Sequence, residues 1–461
     1  MPALHYLSAS AMAELVRSKQ ISPIELVEAH LARIELLNPA LNAFVEVNAE
    51  GARRQAQTCT QGPLHGVPLT IKSCIDVAGL RCEAGTGLRA NLVAREDAPL
   101  VKRLRAAGAI ILGTTNCPEL LMAWETDNLL YGRTNNPWDL SRTAGGSSGG
   151  ESAAIASGCS AGGVGSDGGG SIREPAHFTG ICGLKPTPGR IPATGHFPGS
   201  VGPFALTGVV GPMARTIGDV KLLFAAMQGP DIGDPSAAPV PLRWPASVRE
   251  LRVGYFEDDG RTPVTPETRE AVRTAAKALQ SAGFTVEPFR PEGLEQARQL
   301  WWKYFGIAGG MLLRPLVAGH EAELSPVLKE YLGWVAAEPS HTADTLLDAW
   351  IQRDIVRMKI FEQMKRYPIL LCPVAAIPAF QHGERSWQVD AQMVKYLDAW
   401  SYTEWFNLLG NPAVTVPAGQ SKEGLPIGVQ LSARPWEEES LLAVAEALES
   451  QLGEWKAPPI S

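Results

Sequence analysis

Apolar residues first recur at helical spacing over Ile24, Val27, Leu31 and Ile34. They follow Ser22-Pro23-Ile24-Glu25, where a serine, a proline in the first turn and a glutamate three residues after the serine make a capping box. The pattern predicts a helix entering at Pro23, within a helical opening over 8–47. GVPLTIKSCIDVAG (66–79) then breaks the rhythm as a short β-rich apolar run with Lys72 inside it. APLVKRLRAAGAIILGTTN (98–116) reads as a helix passing directly into a strand. LRVGYF, ILLCPVA and PAVTVPAG are further strand patterns. Thr265-Pro266 opens another helix with Val272, Ala275, Ala276 and Leu279 on one face, and a last helix is expected over roughly 436–452. Helices alternating with strands define an α/β fold class.

Two stretches depart from that alternation. Residues 141–185 are rich in Gly and Ser, interrupted by one short helical pattern around ESAAIASG. Residues 290–365 are helical and aromatic, including QLWWKYFG, and follow a Pro-rich connector at 233–247. No repeat period is visible. The expected organisation is one domain over 1–461, with 290–365 a helical insertion that shapes the substrate entrance.

Composition narrows the functional classes. The 461 residues carry a formal net charge of -7 with no block of like charges, which argues against nucleic-acid or anionic-membrane partners. The seven cysteines (Cys59, Cys74, Cys82, Cys117, Cys159, Cys182, Cys372) contain no C-x-x-C pair, so neither a zinc site nor a disulfide framework is indicated. Reduced thiols and an N-terminus without a basic start and apolar run point to a cytoplasmic protein. YPILLCPVAAIPAF, the most apolar later stretch, is too short to span a bilayer and holds three prolines.

Chemistry concentrates in GVGSDGGGSIREPAHFTG (163–180), where three glycines precede Ser171. Glycines there let another group approach the backbone closely. Gly163, Gly165 and Gly168 satisfy a dinucleotide-binding spacing, but Pro175 follows and GLKPTPGR has no acidic residue where the ribose needs one. Gly146-Ser147-Ser148-Gly149-Gly150 fits the elbow of an α/β-hydrolase, with Ser148 as nucleophile. That elbow needs a strand ahead of it, whereas WDLSRTA is a polar loop, and His320, His341 and His382 sit in no recognisable setting.

A third reading takes both serine clusters and the lysine together. GVPLTIKSCIDVAG, AGGSSGGESAA and GSDGGGSIREPAHFTGICGLKPT closely resemble the signature of the amidase signature family. Ser147 and Ser171 are twenty-four residues apart, as in that family's catalytic pair. TTNCPEL, YGRTNNPWD, GVVGPMART, GNPAVTVPAG and LPIGVQL agree as well, so the resemblance covers most of 8–230 and 365–450.

The resemblance implies a large mixed, twisted β-sheet covered by helices on both faces. It implies Ser171 as nucleophile, Ser147 as a bridging serine behind a cis peptide bond, and Lys72 as base. A lysine acts as base only when neutral, so its pKa must fall from about 10.4 toward roughly 7 or 8, at a cost of about 4 kcal/mol that burial can impose. Gly168, Gly169 and Gly170 would leave N–H groups free for an oxyanion hole. Asp167 and Arg173 would tie the loop down, and Ser166 would be another hydrogen-bonding loop residue. Met122 and Trp124 follow the stretch that lines the acyl pocket in relatives. Trp301, Trp302, Tyr304 and Phe305 are candidates for the entrance; the four cannot all face one pocket from a helix, so at most two should show a size-selective effect when replaced, and Trp302 is taken as substrate-binding.

The expected protein hydrolyses carboxylic amides, preferably aryl or apolar acyl amides, with esters or carbamates as further substrates. It needs no cofactor or metal, and its expected partner is a small-molecule amide, with a homodimer left open. The alternatives are the amidase subunit of a tRNA-dependent amidotransferase, the Ser148 hydrolase, and a catalytically silent binding protein.

Overall fold

A computed structural model of the protein describes residues 3–339 and 341–460. Eleven strands form one sheet: β1 (Phe44–Val47), β2 (Pro68–Lys72), β3 (Ile110–Thr115), β4 (Gly162–Asp167), β5 (Cys182–Lys185), β6 (Val209–Ala214), β7 (Arg252–Tyr255), β8 (Thr285–Pro288), β9 (Ile369–Pro373), β10 (Ala413–Gln420) and β11 (Pro426–Ser432). Their order is β1-β3-β2-β4-β6-β5-β10-β11-β9-β7-β8. Near one edge β3, β2 and β4 run parallel, and at the other β9, β7 and β8 do. The strands between them are antiparallel. Parallel neighbours need a crossover, and helices supply it: Pro99–Ala106 leads from β2 to β3, Gly149–Ala156 from β3 to β4, and Pro266–Ser281 from β7 to β8.

Alternation along the strands shows that both faces are covered. Ile111 of β3 and Leu69 and Ile71 of β2 join a core with helices Ala9–Arg17, Pro99–Ala106, Ile217–Met227, Pro266–Ser281 and Glu438–Leu452. Ile110 and Leu112 of β3 point the other way, into a core with helices Pro23–Leu41 and Gly149–Ala156. Thr70 and Lys72 of β2 alternate with Leu69 and Ile71 and so face this second side.

The local signals hold at the residue level. Ser22 N–H donates to Glu25 Oε2 at 2.7 Å and Glu25 N–H to Ser22 Oγ at 3.4 Å, closing the capping box of Pro23–Leu41. The stretch over 290–365 forms helices Leu294–Trp301, Gly309–Val317, Pro326–Ala337 and Ala343–Gln363, with a π-helical turn at Trp302–Ala308. Among the described residues all seven cysteines are free, and no helix is long and apolar enough to cross a membrane.

Candidate active site

Lys72 is the last residue of β2, and the loop Gly168–Ser171 leaves the end of β4. The two strands are parallel neighbours, so their C-terminal ends bring the lysine and the glycine loop together. This is where ligands bind in open parallel sheets. Lys72 is completely buried. Its Nζ donates to Ser147 Oγ at 2.6 Å and to Ser166 Oγ at 3.0 Å, and it joins no ion pair among the described residues. Burial strips water from the ammonium and lowers its pKa below the ordinary lysine value.

Ser147 lies in the turn before helix Gly149–Ala156, and the peptide bond between Gly146 and Ser147 is cis. Gly146 N–H donates to Glu174 Oε2 at 2.9 Å. Burial keeps the Glu174 carboxyl well above the ordinary range. Ser148 points elsewhere: its Oγ donates to Ser166 O and accepts Ser166 N–H, both at 3.3 Å. The strand before it, Asp139–Thr143, pairs with Asn135–Asn136 and lies outside the main sheet. This is not the strand–turn–helix of an α/β-hydrolase elbow.

The glycine loop is clasped from both sides. Asp167 accepts Gly170 N–H at 2.8 Å and Ile172 N–H at 3.1 Å, and it pairs with Arg173 in a fully buried ion pair. Burial pushes the Asp167 carboxyl up, but the Arg173 guanidinium outweighs it and holds the group well below the ordinary carboxylate range. On the outer side, Trp301 Nε1 donates to Gly168 O at 2.8 Å, and Trp124 Nε1 donates to Gly169 O at 2.9 Å. A Cβ on Gly169 would lie 2.4 Å from the Trp301 ring, and one on Gly168 would lie 2.4 Å from Phe305. Glycine is therefore required because aromatic rings rest on the loop.

These contacts revise the expected donors. Gly170 N–H is occupied by Asp167, because its own peptide plane turns inward. Among the described residues, the N–H groups of Gly168, Gly169 and Ser171 donate to nothing. Ser171 N–H, which the sequence pattern did not single out, is among these unoccupied groups.

Two cavities meet at Ser171. One is walled by Ser147, Ser166, Ser171, His196, Ser200 and Phe204 among others. The second is narrow and aromatic: Trp124, Trp301, Trp302, Phe305, Tyr331 and Trp334 line it beside Ser171. Met122 borders both. Three of the four rings over 301–305 face the second cavity, in keeping with the expectation that the four cannot all do so. Trp301 and Phe305 stack at 5.0 Å, and Trp302 is their neighbour across the π-helical turn. Tyr304 turns away against Trp350.

A family model described as Amidase matches residues 25–442. An acylamidase of Rhodococcus erythropolis is 35% identical, with 97% of this chain and 96% of that protein covered. A glutamyl-tRNA(Gln) amidotransferase subunit from Roseiflexus sp. strain RS-1 is 34% identical, with 97% and 96% covered. The solved structure of a 6-aminohexanoate cyclic dimer hydrolase complexed with substrate superimposes with a TM-score of 0.87 at 30% identity, covering 99% of each chain. The chain belongs to the amidase signature family and is an amide-hydrolysing enzyme.

A second buried group reports on the dryness of the site. Glu151, in the helix behind Ser147, accepts from Thr70 of β2 and from Thr115 of β3, and burial raises its carboxyl to about 8. Between about 4.5 and 8 the folded protein keeps a proton that the unfolded chain has released, so this group costs stability as pH rises through that window. Glu151→Gln cannot ionise. Its Tm relative to the parent protein should improve as pH is raised from about 5 to about 8, by up to ~1.4 kcal/mol per pH unit in stability. A difference that stays flat across that range would show that Glu151 is already ionised in the fold.

Proposed function

We propose that Lys72, Ser147 and Ser171 carry the amide hydrolysis. The observation that supports this most directly is the buried Lys72 amine, 2.6 Å from Ser147 Oγ, with Ser147 and Ser171 in the wall of one cavity. Neutral Lys72 accepts the Ser147 proton while Ser147 Oγ accepts that of Ser171. Ser171 Oγ forms a bond to the substrate carbonyl carbon, and the carbonyl electrons move onto oxygen. The unoccupied N–H groups of Gly168, Gly169 and Ser171 are the donors available to that oxyanion. Collapse breaks the C–N bond, and Ser147 returns a proton to the leaving nitrogen as Lys72 returns one to Ser147. Water then repeats the sequence on the acyl-enzyme and restores Ser171.

This assignment orients the substrate. The leaving nitrogen must face Ser147, so it occupies the cavity that contains Ser147, and the acyl group enters the aromatic one. An aryl or extended apolar acyl amide suits six aromatic walls. Esters and carbamates of the same acyl groups would react at the same serine. The aromatic cavity also favours a stand-alone amidase over the amidase subunit of a tRNA-dependent amidotransferase. A glutamine substrate would bring a charged backbone to an apolar wall.

The purified chain alone should hydrolyse simple aryl amides. Ser171→Ala should lower kcat by at least ~10³-fold with Tm preserved, and Lys72→Ala should lower it comparably. A fluorophosphonate should leave one adduct, on Ser171, detected by mass spectrometry. An adduct on Ser148, or turnover only after a second protein is added, would reject the assignment.

Specificity is tested at Trp302, which lines the aromatic cavity and donates to Glu338 Oε1 at 2.9 Å. Trp302→Ala should cost about 1–3 kcal/mol in kcat/KM for bulky aryl amides and little for acetamide-sized ones. Trp301→Ala should slow every substrate, because that indole also holds Gly168 O. Equal losses for large and small amides in Trp302→Ala would show that this ring is not part of the acyl site.

A further inference from the structure

The 21-residue helix Ala343–Gln363 buries one face and leaves the opposite one bare. Ala349, Val356 and Ile360 recur at helical spacing and join the core, and Arg353 on the same side donates from Nε to Leu408 O at 2.9 Å. At about 100° per residue, Leu347, Ile351, Ile355 and Met358 form a row on the far side of the helix, with Trp350 on its border. These five side chains are 46–65% exposed. Single exposed apolar residues are ordinary, whereas five along one helix make a patch that asks for an occupant.

We infer that this face pairs with itself in a second copy of the chain, the two helices antiparallel about a twofold axis near Arg353. Reversing the helix about residue 353 sets Leu347 opposite Met358, Ile351 opposite Ile355 and Asp348 opposite Lys359. A twofold axis places each flank of one helix against the same flank of its partner. Asp348 and Lys359 share a flank of the row, so their pair forms twice. Asp348 joins no ion pair among the described residues, and Lys359 holds only an exposed one, with Glu292 at 3.0 Å, of a kind worth little in water. Asp354, near the axis, is paired with Arg353 of its own chain at 3.0 Å, and Glu362 at the helix end with Lys365 at 2.6 Å. Asp344, Asp348 and Asp354 border the row with acid, which suits this partner better than an anionic membrane. Five half-exposed residues present on the order of 100 Å² each, so two copies would remove roughly 1,000 Å² from water, the lower bound for a specific interface. That area predicts a reversible dimer with a Kd on the order of micromolar, not an obligate one.

Analytical ultracentrifugation of the full chain from about 0.5 to about 100 µM should show a monomer passing into a dimer. Ile351→Glu puts a carboxylate into each apolar row and should raise Kd at least ~10-fold. Its Tm at low concentration and its kcat on any amide the parent hydrolyses should be unchanged, because Ile351 is exposed and lines neither cavity at Ser171. Asp348→Lys and Lys359→Asp should each raise Kd by roughly three-fold or more, since each sets like charges together twice. Both reversals in one chain restore opposite charges and should return Kd to within about two-fold of the parent. A parent chain that stays monomeric throughout, or a dimer that persists unweakened in Ile351→Glu, would overturn the inference. So would a double reversal that binds no more tightly than the single ones, because the antiparallel pairing would then be wrong.

Discussion

A buried ammonium with only hydroxyls for neighbours is a costly group, and a protein resolves the cost by removing the charge. Lys72 is in that position at the end of an internal strand. One strand over, Asp167 is just as deeply buried but faces Arg173, and it keeps its charge. The two strand ends therefore present opposite solutions to the same constraint. The unpaired lysine is pushed toward its neutral form, as the proposed base requires, and the paired Asp167 anchors the glycine loop. Glu151 follows the lysine's logic, since its two threonine partners are neutral and its carboxyl holds a proton to about 8.

The outer side of the loop is built by aromatic side chains that have two tasks. Trp301 and Trp124 line the cavity beside Ser171, and their indole N–H groups hold the carbonyls of Gly168 and Gly169. The held Gly168 carbonyl sets the plane of the peptide that carries Gly169 N–H, whereas the held Gly169 carbonyl belongs to the peptide whose N–H, on Gly170, is taken by Asp167. Under the proposed reading, Trp301 therefore serves both the acyl cavity and the Gly169 donor, and a shift of that ring would also turn the Gly169 N–H. Trp302 lines the same cavity but holds no loop carbonyl, so it is the ring at which the proposed specificity can be tested apart from the reaction.

Much of this was legible in the chain where the signal is local. The capping box at Ser22, the helix-to-strand passage over 98–116 and the Gly/Ser segments around Ser147 and Ser171 depend on neighbours a few residues apart. The parts that were not legible depend on distant pairs. Nothing near Gly168 announces that Trp301 will bond to it from 133 residues away, or that Thr403 Oγ1 will donate to Gly169 O. The occupied N–H of Gly170 depends on how Asp167 turns, and that orientation is set by Arg173 and by Asn407. Which of the four rings over 301–305 would share one cavity was not legible either, because it depends on a π-helical turn and on the stacking of Trp301 on Phe305.

The central claim is that Lys72 is a neutral amine when the enzyme works. It can be measured directly by ¹⁵N NMR of protein labelled at the lysine Nζ atoms, titrated from about pH 6 to about pH 11. A second buried lysine, Lys185, is lowered to about 7, so the Lys72 resonance is assigned by its absence in Lys72→Met. The expected result is a Lys72 amine that loses its proton clearly below 10.5 and is neutral where activity is greatest. A Lys72 signal that stays protonated up to the ordinary lysine range, while Lys185 titrates low, would contradict it.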